Sequence, residues 1–315
     1  MNSDSKIFVA GANGLVGSSI VRCLKKHNYV NIFTPKRGEL DLMDARATDT
    51  WFKKNRPDYL FLAAAKVGGI MANSTYPADF IYQNLMIQNN IIHQSYIHKV
   101  KKLIFLGSSC IYPKHCAQPM KEEYLMTGKL ESTNSAYAIS KIAGIEMCWA
   151  YNRQHTTHFI PVMPTNLYGP NDNFDLETSH VLPALIRKFY EAKQNNEPSV
   201  TVWGTGSVKR EFLHVDDLAD ASLFLMNKQF SKNDYLSNPL YNIGCGKDIT
   251  IKELAQLIKE VLNYQGKIIF DLSKPDGTPQ KLLDVSKINA LNWHAATTLK
   301  KGLQDTCQWY KQRQP

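Results

Sequence analysis

The fold is decided by one stretch near the start of the chain, Ile7-Phe8-Val9-Ala10-Gly11-Ala12-Asn13-Gly14-Leu15-Val16-Gly17. Its first four residues are apolar and predict a buried strand, and its three glycines predict a tight turn that opens a helix. Glycine lets the backbone approach a pyrophosphate closely, and the positive end of a helix favours negative charge. We therefore expect a dinucleotide site here, the alternative being a glycine-rich turn without a ligand.

Strands and helices alternate through the first half of the chain. Further patterns predict strands over residues 31–34, 59–62, 103–106 and 159–163, and helices over 78–97, 135–153, 217–226 and 251–262. This α/β alternation is typical of a Rossmann-type, doubly wound parallel sheet. After about residue 170 prolines become frequent. We expect a cofactor-binding domain over 1–170 and a smaller, mainly substrate-binding region over 171–315 that can cross back to the sheet.

The composition indicates a folded protein that binds small molecules. Hydrophobic residues make up 43% of the 315, which is enough for a packed core. The net charge is +9, but the basic residues are scattered, which favours an anionic small molecule or a solvated surface over nucleic acid. The sequence shows no apolar run near the ~20 residues of a bilayer span, no signal-peptide core and no Cys-x-x-Cys pair. We expect a cytoplasmic protein without membrane, nucleic-acid or metal partners.

A proton donor is predicted by Tyr137 and Lys141, which are four residues apart and share one face of a helix. An ammonium beside a phenol favours the phenolate, so we expect a lowered pKa for Tyr137. Ser108 follows an apolar strand and can donate a hydrogen bond to the same carbonyl oxygen. The alternative for Tyr137 and Lys141 is an ordinary surface helix pair.

The cofactor type is indicated by Lys36 and Arg37, which follow the second strand. NAD-binding chains usually carry an acidic residue near this point to bind the ribose 2′-hydroxyl. Two cations would attract a 2′-phosphate, so NADP(H) is expected, with Asp41 and Leu42 bordering the adenine. Two solvated surface cations are the alternative.

These features together resemble the extended short-chain dehydrogenase/reductase family. The similarity covers nearly the whole chain and includes AAAKVGGI at 63–70, SSCIYP at 108–113, PTNLYGP at 164–170, REFLHVDD at 210–217 and KPDGTP at 274–279. It implies a two-part reaction on GDP-4-keto-6-deoxy-D-mannose, with inversion at C3 and C5 followed by reduction of the C4 ketone by NADPH. Another NDP-sugar 4-reductase or epimerase, or a dinucleotide-sensing regulator, is the alternative.

The resemblance assigns a role to each catalytic candidate. Protons at C3 and C5 lie beside the ketone, so a base and an acid can invert each centre. Cys110 is the implied base and His180 the implied acid, while Tyr137 protonates the C4 oxygen with support from Ser108 and Lys141. A small buried thiol and a helix-start or core histidine are the alternatives. Sister dehydratases carry an Asp-Glu pair where this chain has Ser109-Cys110.

The resemblance also implies the ligand contacts. The implied cofactor residues are Gly11, Ala12, Asn13, Gly14, Leu15, Val16, Gly17, Lys36, Arg37, Asp41, Leu42, Ala63, Ala64, Leu106, Gly107, Ser108, Ser109, Lys141, Pro164, Asn166 and Leu167. The implied substrate residues are His180, Lys188, Trp203, Arg210 and Asp276. A structural salt bridge for Arg210 and a core position for Trp203 are the alternatives. Some relatives carry an arginine where this chain has Asn13, so NADPH preference would rest on Lys36 and Arg37. A homodimer through the helices that begin at Ala78 and carry Tyr137 is expected.

Overall fold

The computed structural model describes residues 1–274 and 276–313; Pro275, which belongs to the last motif quoted above, lies outside the described residues. The strands are β1 (Ile7–Ala10), β2 (Ile32–Phe33), β3 (Tyr59–Leu62), β4 (Lys102–Leu106), β5 (Phe159–Pro164), β6 (Asn166–Tyr168), β7 (Ser199–Trp203), β8 (Lys209–His214), β9 (Tyr241–Ile243), β10 (Asp248–Thr250), β11 (Lys267–Asp271) and β12 (Gln280–Lys281). The helices are α1 (Leu15–Lys26), α2 (Ala45–Asn55), α3 (Ile70–Thr75), α4 (Pro77–Ile97), α5 (Ser135–His155), α6 (Val181–Gln194), α7 (Val215–Asn227), α8 (Lys232–Leu236), α9 (Ile251–Val261), α10 (Ser286–Asn289) and α11 (Leu299–Arg313).

The central element is a six-stranded parallel sheet in the order β2-β1-β3-β4-β5-β9. Its strands are almost wholly apolar because helices cover both faces, which is the usual state of a parallel sheet. One face packs against α2, α4 and α5, and the other against α1 and α7. The predicted Rossmann-type fold is therefore confirmed. The second strand is shorter than predicted, because only Ile32 and Phe33 pair with β1 at this half-buried edge.

The second half of the chain both returns to this sheet and builds a layer of its own. Strand β9 forms the sixth strand, and α7 packs beside α1. A mixed sheet of β10, β8 and β12, with β6 beside β8, and a β7–β11 pair form the remaining strands. They pack with α6, α9 and α11 around a separate apolar core. Among the described helices, none has the length and apolar character needed for a membrane span.

A buried lysine joins the two halves. Lys102 on β4 is 9% exposed, and its ammonium donates hydrogen bonds to the carbonyls of Leu225, Met226 and Lys228 at 3.4, 2.9 and 2.8 Å. These carbonyls belong to the end of α7, where a positive charge is favoured by the helix dipole. Lys102 therefore fixes the end of α7 against the sheet.

Candidate functional site

The glycine turn after β1 forms a cradle of bare backbone. Gly11 has φ of +85°, and a Cβ there would lie 2.6 Å from the Ala64 nitrogen. A Cβ on Gly17 would lie 2.1 Å from the Gly11 carbonyl oxygen, so this first turn of α1 can pack only without a side chain. Gly14 precedes α1 and faces open space, since a Cβ there would meet nothing closer than the Gly11 carbonyl oxygen at 3.6 Å. The cradle fits the pyrophosphate of a dinucleotide.

The two cations predicted to select the cofactor lie beside this cradle. Lys36 and Arg37 are exposed in the turn after β2, and the Glu39 carboxylate accepts a hydrogen bond from the Lys36 backbone N–H at 2.8 Å. Within residues 1–274 and 276–313 neither cation forms a salt bridge, so both charges are available to a ligand. Asp41 and Leu42 follow in the next turn, and Asn90 donates a hydrogen bond to the Leu42 carbonyl at 2.8 Å.

The remaining cofactor candidates meet at one edge of the sheet. Ala63 and Ala64 follow β3, Leu106 to Ser109 end and follow β4, and Pro164 to Leu167 end β5 and begin β6. These strands are parallel neighbours, so their carboxyl ends lie side by side with the glycine turn. Asn166 is held there by a hydrogen bond from its Nδ2 to the Glu211 carbonyl at 2.8 Å.

Tyr137 and Lys141 are buried on α5, but their electrostatics differ from the prediction. Burial raises the pKa of Tyr137, the nearby Cys110 adds to this, and a hydrogen bond with Ser108 opposes it. The expected lowering of this pKa is therefore wrong. The Lys141 ammonium lies 6.0 Å from the Tyr137 ring centroid, donates to the Leu106 carbonyl at 2.8 Å, and has a pKa lowered by burial to about 8. Tyr137 thus stays protonated at neutral pH, the state in which it can donate a proton.

Cys110 lies next to this pair, in the short helical turn Ser109–Ile111 after β4. Its Sγ is 3.0 Å from the Ser108 Oγ, and the thiol is partly exposed. It lines a small cavity with residues from two other segments: Gln118 and Met120 belong to one, and Lys281 belongs to the other. Cys110 therefore packs partly against the apolar core and partly lines this cavity.

His180 begins α6, yet its side chain caps no helix amide and is exposed. The surrounding protein nonetheless lowers its pKa by displacing water, and the charge of Lys281 adds to the effect. Since Lys281 also lines the Cys110 cavity, this one lysine lies near both candidates. Lys281 was missed from the sequence, although it closely follows the KPDGTP motif and is in register with Arg210.

The loop before His180 contains a buried acid. Asp172 Oδ1 accepts a hydrogen bond from the Asn173 N–H at 2.8 Å, while Oδ2 is buried without a partner among the residues described. Burial raises the pKa of Asp172 to about 7. Its neighbour Asn171 donates to the Ser18 Oγ on α1 at 3.0 Å, so this loop contacts the helix that begins at the glycine cradle.

The four further substrate candidates form two neighbouring pairs. The Lys188 ammonium lies 5.3 Å from the Trp203 ring centroid, and Trp203 is 58% exposed, which excludes a core position. Arg210 donates to the Lys209 and Thr278 carbonyls at 2.7 and 2.6 Å. Burial lowers the pKa of Arg210, and the charge of Asp276 opposes this.

Asp276 is already engaged within the protein. Its carboxylate accepts hydrogen bonds from the Thr205 N–H and hydroxyl at 3.0 and 2.7 Å. The pairing orders the turn that follows Trp203 and leaves that ring facing solvent.

Comparison with known proteins places the chain in a family. A model of the NAD dependent epimerase/dehydratase family matches residues 7–244, so the chain belongs to this family. It is 56% identical over 310 residues to the putative GDP-L-fucose synthase 2 of Arabidopsis thaliana, covering 98% of this chain and 93% of that protein. It is 52% identical over 317 residues to the GDP-L-fucose synthase of Escherichia coli (strain K12), covering 99% and 98%. The chain therefore lies in the GDP-L-fucose synthase branch of the family.

A solved structure shows the same fold with its cofactor. The GDP-mannoheptose C4 reductase from Campylobacter jejuni, determined with NADP bound, has a TM-score of 0.90 and 40% identity, covering 99% of each chain. The resemblance found in the sequence is thus confirmed in both sequence and fold.

Proposed function

We propose that the chain epimerises GDP-4-keto-6-deoxy-D-mannose at C3 and C5 and reduces the C4 ketone with NADPH, giving GDP-L-fucose. Identity above one half to two GDP-L-fucose synthases over almost the whole chain supports this activity. The structural observation that carries it is the position of Cys110 next to Ser108, with Lys281 near both Cys110 and His180.

The cofactor is NADP(H), held by the glycine cradle and by Lys36 and Arg37. When bound, it supplies the reducing equivalent for C4. The residues of the chain position its phosphates through the start of α1 and attract the 2′-phosphate by charge. Residues 1–170 supply most of this site, and residues 171–315 supply most of the substrate site.

The side chains divide the remaining chemistry between them. Cys110 as the base removes a proton from C3 or C5, and His180 as the acid returns one to the opposite face, so each centre inverts. Ser108 donates a hydrogen bond to the C4 oxygen. Tyr137 donates its proton to that oxygen during reduction, and Lys141 supports the buried phenol. Arg210 and Lys188 bind the diphosphate, while Trp203 and Asp276 contact the nucleotide or the sugar.

The test separates the two partial reactions. The protein is incubated with GDP-4-keto-6-deoxy-D-mannose in D2O, and deuterium at C3 and C5 is followed by NMR; NADPH is then added, and its absorbance and the product are followed. Wild type should exchange both positions and form GDP-L-fucose. Cys110→Ser should lose exchange, while Tyr137→Phe should slow reduction by about 10²–10⁴-fold and keep more of the exchange.

A second function is favoured by one comparison. The similarity to a GDP-mannoheptose C4 reductase is also consistent with reduction of a different GDP-linked keto sugar. That activity needs Tyr137 but no inversion. Wild-type protein that consumed NADPH without exchange at C3 and C5 would favour it, as would turnover indifferent to Cys110→Ser.

We also propose that the protein is a cytoplasmic homodimer. Tyr82 and Ile97 on α4 and Ile139 on α5 are large apolar side chains with 58%, 48% and 49% exposure, and α4 and α5 pack side by side. A partner chain would cover such a surface. Light scattering would test this, since Ile139→Glu should halve the mass of a dimer joined there. The Cys110 thiol requires reducing conditions, which the cytoplasm provides.

A further inference from the structure

The turn that carries Cys110 is tied to the last strand of the central sheet by two buried side chains. The Tyr112 hydroxyl donates a hydrogen bond to Asn242 Oδ1 at 2.6 Å. Tyr112 is 2% exposed and Asn242 is 0% exposed, so water cannot replace either partner. Tyr112 directly follows the turn Ser109–Ile111, and Asn242 is the middle residue of β9. This bond therefore fixes the Cys110 turn against the sheet.

Asn242 is also hydrogen-bonded to the two other segments that line the cavity beside Cys110. Its Nδ2 donates to the carbonyls of Met120 and Asp284 at 2.9 and 3.0 Å. Its backbone N–H donates to Glu122 Oε1 at 2.8 Å. Met120 lines the cavity, and Asp284 closely follows Lys281, which also lines it. One buried amide is thus bonded to both segments.

Hydrogen bonds between their backbones also join these two segments directly. The Met120 N–H donates to the Leu282 carbonyl at 2.7 Å, and the Asp284 N–H donates to the Met120 carbonyl at 2.8 Å. Gln118 adds a side-chain bond to the Leu282 N–H at 2.8 Å. The two segments are therefore bonded into one unit, and Tyr112 ties the Cys110 turn to that unit through Asn242.

We propose that Tyr112 and Asn242 are positioning residues for the inversion at C3 and C5, and that they act by holding Cys110 at the hexose. This role rests on the proposed function. Two of the groups for reduction lie outside the Cys110 turn: Lys141 is bonded to the Leu106 carbonyl at 2.8 Å, and Tyr137 lies on α5. Loss of the Tyr112–Asn242 bond should therefore displace the thiol and leave Tyr137 and Lys141 in place.

The test compares two partial reactions in Tyr112→Phe, which removes only the hydroxyl. Deuterium exchange at C3 and C5 measures inversion, and oxidation of GDP-L-fucose by NADP+ measures the C4 chemistry without inversion. Exchange should fall about 10–100-fold, since a displacement of about 1 Å can cost this much. Oxidation should stay within about twofold of wild type. The matched control is Tyr264→Phe, whose buried hydroxyl donates to the Glu197 carbonyl at 2.8 Å away from the cavity and which should change neither reaction.

A second variant keeps the test decisive if Tyr112→Phe folds poorly. Asn242→Ala removes the acceptor for Tyr112 together with the donor to Met120 and Asp284, and it should show the same selective loss of exchange. Equal losses in both partial reactions, or wild-type exchange in both variants, would overturn the positioning role alone. Wild-type protein that catalyses no exchange would overturn the proposed function and this role with it.

Discussion

Two glycines in the first turn after β1 should respond in opposite ways to the same added methyl group. In Gly17→Ala the new Cβ would lie 2.1 Å from the Gly11 carbonyl oxygen and 2.8 Å from the Ala12 Cα. Both atoms belong to backbone, so no rotamer change relieves the overlap. Overpacking of this kind costs about 1–3 kcal/mol, and the upper part of that range applies because a whole loop must shift. Alanine regains about 1 kcal/mol through its helix propensity.

The net loss for Gly17→Ala is therefore about 1–2 kcal/mol, or a melting temperature lower by roughly 1.5–3 °C. In Gly14→Ala the new Cβ meets nothing closer than 3.6 Å, and φ is −81°. Alanine is a poorer helix N-cap than glycine, so the loss of stability should stay below about 1 kcal/mol. The methyl group would instead occupy the space in front of α1, and NADPH affinity should fall at least about tenfold, or 1.4 kcal/mol.

Thermal unfolding without ligand and NADPH binding by fluorescence titration measure these two effects separately. Gly14→Ala should be the more stable variant and a weak NADPH binder. Gly38→Ala is a matched control for stability, since a Cβ at Gly38 meets nothing within 4 Å. A Gly17→Ala protein as stable as wild type would refute the packing argument, and a Gly14→Ala protein with wild-type NADPH affinity would refute the placement of the pyrophosphate.

Three further predictions concern charge. Lys36→Ala with Arg37→Ala should weaken NADPH binding about 10–100-fold and change NADH binding little, because each lost phosphate contact removes about 1 kcal/mol; titrations with both nucleotides check this, and equal losses would contradict it. Burial raises the pKa of Asp172 in the folded protein to about 7, from an ordinary value of 3.8. The stability contributed by the protonated carboxyl is therefore fully present below pH 3.8 and is lost as pH rises through 7. Asp172→Asn should therefore be more stable than wild type above pH 7, by up to about 4 kcal/mol, in urea unfolding across pH; a gap that widens toward acid would refute this. Lys102→Met should cost about 2 kcal/mol by leaving carbonyls at the end of α7 unpaired, and unchanged urea unfolding would show that water replaces the ammonium.

The parts of the fold that depend on residues close together in the sequence could be predicted. The strand Ile7–Ala10 and its glycine turn form a local pattern, and α4 begins at Pro77, one residue before the predicted start. The position of β9 beside β5 could not be predicted, because a strand of only three residues, Tyr241–Ile243, does not indicate its partner. The same limit applies to the Tyr112–Asn242 bond, whose partners are 130 residues apart.

The sequence predicted which residues form the candidate site more fully than it predicted their pKa values. Spacing correctly placed Tyr137 and Lys141 on one helix, but it carries no information about desolvation. Burial raises the pKa of Tyr137 because the phenolate loses its water, and it lowers that of Lys141 for the corresponding reason. Lys281 was missed because its significance depends on the approach of β12 to the Cys110 turn, which only the tertiary structure provides.

The raised pKa of Tyr137 explains how one site can serve both halves of the proposed reaction. Removal of a proton at C3 or C5 puts negative charge on the C4 oxygen, and reduction puts charge on the same atom. A neutral phenol and the Ser108 hydroxyl can donate hydrogen bonds to that oxygen in both cases, whereas a phenolate would repel it. During inversion the phenol needs only to keep its proton, and during reduction it must release it. Tyr137→Phe should therefore slow both steps and reduction more, because only reduction consumes the proton.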